Sequence, residues 1–282
     1  DKMSSILTNN GAIVALQTLK NVNSSLNKAQ SEISTGKSIS DASDNAALWA
    51  ISKTMETDQA AAKTLHSSLN VANATVTTAL KGSDMVVDLL TDMKKLATNA
   101  GNDGFDFATV QKQIEEKMAN ITSVVSGTQM NGINLLSTDG INGGATFTTL
   151  ASLDRLAGTG ATTANEIVVN SLDYQANIAE ATVTSITDQA SAKTALGEIE
   201  ALLDIAIAGS ATLGSASERI TDQADFVGSL ADSLKLGVSS LVDADMEEAS
   251  ARLQALQTQQ QLGIQALSIA NEAPSAILSL FR

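Results

Sequence analysis

Stepping in alternate threes and fours from Leu48 meets Ile51, Met55, Asp58, Ala62, Leu65, Leu69, Ala72, Val76, Ala79, Ser83, Val86, Leu90, Met93 and Ala97, and only Asp58 and Ser83 are polar. Apolar residues recurring every three and a half positions keep one stripe of a helix facing a partner along its length. About fifty residues of helix span roughly 75 Å, more than a compact domain needs, so the pattern predicts a rod. A second stripe starts at Ala192 and runs through Leu196, Ile199, Leu203, Ala206, Ser210, Leu213, Ser217, Ile220, Ala224, Val227, Ala231, Leu234, Val238 and Leu241. Gly197, Gly209, Gly214 and Gly228 interrupt it. Each costs the helix about 1 kcal/mol, and each lets a neighbour come close. Between the stripes, residues 101–107 (GNDGFDF) read as a turn, and residues 108–126 as a shorter helix carrying Val110, Ile114, Met118, Ile121 and Val125.

Weaker stripes occupy both ends. Ala12, Leu16, Leu19, Asn23, Leu26, Gln30 and Ile33 follow the same step near the start, and Ala249, Leu253, Leu256, Gln260, Gly263, Leu267 and Ala270 near the finish. Isolated helices of this length are marginal in water. Val14, Val22, Leu262, Ile264 and Ile269 lie off the stripes, so each end helix has more than one apolar face and needs more than one partner. The final residues, NEAPSAILSLFR, hold the chain's only proline. Pro274 suits the first position of a last helical turn, on which Ala276, Ile277, Leu280 and Phe281 form a short apolar face.

Residues 139–170 break the pattern. They are rich in Gly and Thr and contain two strand-like pieces, residues 145–150 (ATFTTL) and 165–172 (NEIVVNSL). About thirty residues are too few for a large outer domain. The expected fold is therefore mainly α: a long antiparallel helical-bundle or coiled-coil rod with a small β-containing distal excursion.

Composition narrows the functional classes. A formal net charge of −14 argues against nucleic acid and against anionic lipid, so neither a nucleic-acid nor a membrane partner is expected. No uninterrupted run of about 18 apolar residues is present, which argues against a membrane-spanning helix. The start of the chain lacks the apolar core and cleavage site of a Sec-type signal peptide, and Asp1 and Lys2, ahead of Met3, read as a tag remnant. There is no cysteine, which removes disulfides and thiolate metal sites. His66 is the only histidine, one residue off the stripe, and reads as an exposed helix-surface residue. No oriented nucleophile and base can be assembled around it, so no enzyme, no catalytic residue, no metal and no cofactor is expected. Residues 243–248 (DADMEE) read as a helix break with Asp245 as N-cap and Glu247 and Glu248 in the first turn. Residues 40–49 read as a loop followed by an N-cap at Asp44.

Three stretches carry a family resemblance. Residues 3–52, with STGKSISDASDNAA at 34–47, resemble the N-terminal segment of bacterial flagellins. Residues 125–136 (VSGTQMNGINLL) resemble the family's internal motif, and residues 241–282, with the DAD turn and the ILSLFR finish, resemble its C-terminus. The middle carries no such likeness, and Leu48 and Trp49 stand where the family commonly has Gly-Leu. The resemblance implies a secreted structural subunit, exported by the flagellar type III route, that self-assembles into the extracellular flagellar filament for motility. It implies N- and C-terminal helices pairing as an inner coiled coil, a homopolymer of many copies, and an export chaperone and filament cap or junction proteins as partners. The implied division is 1–44 as inner-core helix and linker, 45–138 as the N-terminal part of the rod, 139–178 as a variable outer excursion, 179–242 as the C-terminal part of the rod, and 243–282 as the second inner-core helix. Polymerisation is expected to rest on Leu16, Leu19, Leu26, Ile33, Leu253, Leu256, Leu267, Ile277, Leu280 and Phe281. The close match near residue 40 and the ILSLFR end favour filament flagellin over a hook–filament junction protein. An adhesin or glycan-binding rod would want aromatic platforms that residues 139–170 lack.

The resemblance also places a Toll-like receptor patch on residues 90–99 and the helix after it. Leu96 matches the patch leucine, while its arginine position falls on Asp92 and its glutamate on Gln113. Reversing a charge at a paired contact removes an attraction and adds repulsion, so weak or absent receptor activation is expected.

Overall fold

The computed structural model describes residues 9–102, 104, 106–138, 145–155 and 162–280. The elements are α1 (Asn10–Thr35), α2 (Ala46–Ala100), α3 (Phe107–Gly127), β1 (Thr146–Arg155), β2 (Thr162–Asn170), a π-helical turn (Gln175–Ala179), α4 (Gln189–Val242) and α5 (Met246–Leu280). The long helices and one small antiparallel hairpin are the mainly α architecture expected. Asp1, Lys2, Phe281 and the glycine-rich start of the excursion lie outside the described residues. The chain divides into two compact units, Asp1–Gln59 with Asp232–Arg282, and Ala60–Ala231.

Short polar side chains set the helix starts. Asn9 Oδ1 accepts from the Ala12 amide at 3.0 Å, and Asp106 Oδ1 from the Ala108 and Thr109 amides. Asp188 and Ser191 cap α4 reciprocally, Asp188 Oδ1 taking the Ser191 amide at 2.7 Å while Ser191 Oγ takes the Asp188 amide at 3.0 Å. Asp245 caps α5 through the Glu247 and Glu248 amides, with both glutamates in the first turn. At α2 the expected cap is corrected. Asn45, not Asp44, accepts from the Leu48 amide, at 3.2 Å. Asp44 turns back to take the Asp41 and Ser40 amides, and these bonds hold its carboxyl below the usual aspartate range. Two loop amides thus outbid a single helical one. Pro274 is a second correction: it starts no separate turn, because α5 runs on through it to Leu280.

In the Ala60–Ala231 unit every α2 stripe position from Ala62 to Ala97 is buried. These positions share one core with Ile199, Ala206, Leu213 and Ile220 of α4 and with Ile114, Ile121 and Val125 of α3. β1 and β2 pair antiparallel, Phe147 opposite Val169 and Thr149 opposite Ile167, with a bulge between Leu150 and Ser152. Thr149, Ala151, Ile167 and Val169 face inward, and Gln223 Nε2 of α4 donates to the Ala151 carbonyl at 2.8 Å. The chain then returns along residues 134–136, with the Leu172 amide on Leu135 O and the Tyr174 amide on Leu136 O.

That return seats Tyr174, the only tyrosine, in the core. Its hydroxyl donates to the Ala206 carbonyl at 2.7 Å and lies 2.7 Å from Ser83 Oγ, which lies 2.7 Å from Ser210 Oγ. Since Tyr174 spends its one proton on Ala206, Ser83 must donate to Tyr174, and Ser210 to Ser83. Burial pushes the Tyr174 phenol above its ordinary value and keeps that proton in place. A polar position of each stripe, Ser83 and Ser210, thus meets the other. Gly209 makes room: a Cβ there would lie 2.1 Å from Tyr174 Oη. Of the four glycines expected to admit neighbours, Gly209 and Gly228 do so, and Gly197 and Gly214 face open space. The neighbour at Gly228 is His66, which is half-buried over it rather than exposed, a correction with a packing cause.

One helix qualifies the expectation on membrane spans, among the described residues. α4 holds an 18-residue window of mean hydropathy 1.3, long and apolar enough to cross a membrane by length and composition, with 28% of it buried. Seam residues and outward side chains such as Ile205 and Ile207 raise this average without forming an uninterrupted run.

Candidate assembly surface

The unit made by the two chain ends pairs α1 antiparallel with α5. Asn9 Nδ2 donates to the Ala270 carbonyl at 2.7 Å, Gln260 Nε2 donates to Asn23 Oδ1 at 2.7 Å, and the Arg252 guanidinium stands 3.7 Å from the Glu32 carboxylate. At the closed end of the pair the Ser38 amide bonds Val242 O and the Ala244 amide bonds Gly36 O. Gly36 turns the chain there at φ 69°, a left-handed conformation that suits glycine.

On α5 the seam falls on the expected stripe: Ala249, Leu253, Leu256, Gln260, Gly263, Leu267 and Ala270 are its covered positions. A Cβ on Gly263 would sit 3.2 Å from Leu19 Cδ1, so the helices approach closely there. On α1 the seam takes the other phase of the same heptad, through Ala12, Ala15, Leu19, Val22, Leu26, Ala29 and Ile33. Alanines at 15 and 29 admit α5, while Leu16 is left 46% exposed and Gln30 points to solvent. Of the residues singled out for polymerisation, Leu26 is buried, and Leu19, Ile33, Leu253, Leu256 and Leu267 are half-buried in the seam. Ile277 and Leu280 belong to α5, but their side chains lie outside the described part, as does all of Phe281.

Closing this seam does not exhaust the apolar surface. Ile13, Val14 and Leu16 on α1 and Leu262, Ile264 and Ile269 on α5 stay exposed, Val14 at 65% and Ile269 at 69%. Off-stripe position marked all of these except Ile13 and Leu16. Such a set of exposed aliphatic side chains on paired helices is the usual mark of a docking surface.

The receptor-patch positions come together in the other unit. Asp92 and Leu96 of α2 and Gln113 of α3 line one open groove of about 450 Å³, with Lys95, Glu116, Lys117 and Asn120. Asp92 is not a bare carboxylate: Lys117 Nζ lies at 3.0 Å and Lys95 Nζ at 3.2 Å. These two hydrogen bonds, that of Lys117 the stronger, hold its carboxyl below the ordinary aspartate range. Asp92 is thus paired with two lysines of its own chain.

Residues 6–141 match the family model for the bacterial flagellin N-terminal helical region, and residues 196–281 match the model for the C-terminal helical region. The chain is similar to a flagellin of Brucella melitensis, 41% identical over 288 residues that cover 99% of this chain and 100% of that one. It is also 38% identical to flagellin FljM of Caulobacter vibrioides over 283 residues, covering 99% of each chain. Among solved structures, Bacillus cereus flagellin aligns with 65% of this chain and 93% of its own at 19% identity and a TM-score of 0.38, a likeness on which nothing here depends.

Proposed function

The chain belongs to the bacterial flagellin family, and from that premise we propose that the outward apolar side chains of α1 and α5 are the surfaces through which one subunit docks on the next. Flagellins are structural proteins, and this chain is a subunit of the extracellular flagellar filament, a polymer of many copies. One observation carries the docking reading. After α1 and α5 have closed their seam, both still present large aliphatic side chains to solvent. In this reading Leu19, Leu26, Ile33, Leu253, Leu256 and Leu267 hold the pair, while Leu16 and its exposed neighbours meet adjoining subunits. Ile277, Leu280 and Phe281 extend the docking surface. Contacts between unlike patches build an open helical filament when the rotation from one subunit to the next does not close.

The finer parts of the reading go with it. The subunit is non-catalytic, passes through the flagellar type III channel with an export chaperone, and has filament cap or junction proteins as partners. The inner-core parts are 1–44 and 243–282, flanking rod parts 45–138 and 179–242 and the excursion 139–178. Lacking an arginine at position 92 and a glutamate at 113, it activates the flagellin-sensing Toll-like receptor weakly or not at all. Full potency at nanomolar doses in reporter cells would overturn that last point. For assembly, purified subunit is added to filament seeds and the growing ends are followed by negative-stain microscopy. Elongation supports the reading, and subunit that stays monomeric at high concentration beside competent seeds overturns it.

A further inference from the structure

In the Ala60–Ala231 unit the seam between α2 and α4 is repetitive, with Ala62, Ala72, Ala79 and Ala97 on one side and Ala192, Ala206, Ala224 and Ala231 on the other, set among Leu, Ile, Val and Met. Such a seam has a physical weakness. Sliding one helix by a heptad sets apolar residues on apolar residues again, so burial alone hardly separates the two registers.

Two polar rungs cross this seam. In the first, Ser83 of α2 meets Ser210 of α4, each at 2.7 Å, with Tyr174 completing the chain to Ala206 O. In the second, Ser217 Oγ donates to Asn73 Oδ1 at 2.7 Å and Asn73 Nδ2 donates to Thr221 Oγ1 at 3.1 Å. The salt bridge of Lys94 with Glu200, at 2.9 Å, follows the same antiparallel alignment. The rungs are ten residues apart on α2, at Asn73 and Ser83, and seven to eleven apart on α4, at Ser210 and at Ser217 with Thr221. Ten is not a multiple of seven, so a slide by one heptad cannot restore both. A slide that brings Ser217 to Ser83 sets Ser210 against Leu90, and the opposite slide sets Ser83 against Leu203. Either one breaks the Ser83–Tyr174–Ser210 chain and sets a serine against a leucine, which is disfavoured. Tyr174 adds a third fixed point. Its backbone is tied to Leu136 O, outside both long helices, and from there its hydroxyl reaches Ser83 and Ala206 O at one level.

We propose that the Ser83–Tyr174–Ser210 and Asn73–Ser217–Thr221 rungs lock α2 and α4 into a single axial register. The device goes beyond assembly, because it acts within one chain and is complete in the monomer. A filament whose subunits must superpose would depend on it, since a slipped subunit would present a different surface.

The test uses the full chain, which has no native cysteine. Lys63→Cys and Asp204→Cys, both at exposed positions of this unit, carry nitroxide labels read by pulsed electron paramagnetic resonance on dilute monomer. In the native alignment Asp204 lies near the level of residue 89, so the labels are about 40 Å apart along the helices, and a heptad slip moves them by about 10 Å. The parent is expected to give one distance. With Ser83→Ala, Tyr174→Phe and Ser210→Ala together, a second population shifted by about 10 Å is expected in at least a tenth of molecules. A triple variant that keeps its helical circular dichroism and the single parental distance overturns the proposal. Should the triple variant not fold, Ser210→Ala alone is measured in the same way, and an unshifted single distance overturns it equally. Loss of helix in both would assign the cluster to stability rather than to register, and would also overturn it.

Discussion

Val14→Asp combined with Ile269→Asp will give a subunit that is as helical as the parent but barely extends filament seeds. Both side chains are about two-thirds exposed in the subunit, so the substitutions cost the monomer little. Burying a Val or Ile side chain at a contact is worth roughly 1.5–3 kcal/mol, so losing two removes about 3 kcal/mol or more. An aspartate forced into the same apolar contact adds a desolvation cost. Since 1.4 kcal/mol is tenfold in an equilibrium constant, the critical concentration for elongation should rise at least ~100-fold. Sedimentation of filament at graded subunit concentrations measures it directly. Ser24→Asp with Gln259→Asp, exposed polar positions on the same helices, is the control and should shift it far less. Equal critical concentrations for parent and the Val14, Ile269 variant would remove α1 and α5 from the docking surface.

How far the sequence anticipated the structure differs between helices, for reasons that lie in particular residues. On α5 the stripe and the seam coincide: Leu253, Leu256, Gly263 and Leu267 are covered, and the off-stripe Leu262, Ile264 and Ile269 stay exposed. On α1 the expected phase carries Asn23 and Gln30, whereas the phase through Ala15, Val22 and Ala29 is apolar throughout; the seam follows the fully apolar phase, and Leu16 is left outside it. The start of α2 shows a second blind spot. Ile51 is on the stripe yet 50% exposed, while Ser52 beside it is buried. Ser52 Oγ donates to the Trp49 carbonyl one turn back, at 2.9 Å, so a serine can be covered there without losing its hydrogen bond. The Asn45 cap was hidden because Asp44 is an equally good cap until Ser40 and Asp41 claim it. Tyr174 was beyond reach altogether. It lies outside both stripes, and its partners at Ser83 and Ala206 come together only when three distant segments are packed.

Tyr174 is also where a single methyl group should do the most damage. In Gly209→Ala the new carbon would lie 2.1 Å from Tyr174 Oη, 2.8 Å from its Cζ and 2.9 Å from Leu172 Cδ1. The ring has no free direction, being 1% exposed and held through its hydroxyl to Ser83 and Ala206 O. Overpacking of this kind costs about 1–3 kcal/mol. Displacing the ring strands buried hydroxyls and adds roughly 1–3 kcal/mol more. Against this stands the gain of about 1 kcal/mol for alanine over glycine inside a helix. The net expectation is a loss of about 2–4 kcal/mol, which for a chain of this size lowers the thermal midpoint by roughly 5–15 °C. Gly197→Ala, in the same helix but with nothing within 4 Å, keeps the propensity gain alone and should raise the midpoint by about 2–4 °C. Thermal unfolding followed by circular dichroism reads both signs in one experiment. Adding Tyr174→Phe to Gly209→Ala removes the worst contact and should recover part of the loss, a coupling that two independent sites would not show. If Gly209→Ala proves as stable as Gly197→Ala, Tyr174 is not seated against α4 as described, and the first rung of the register lock falls with it.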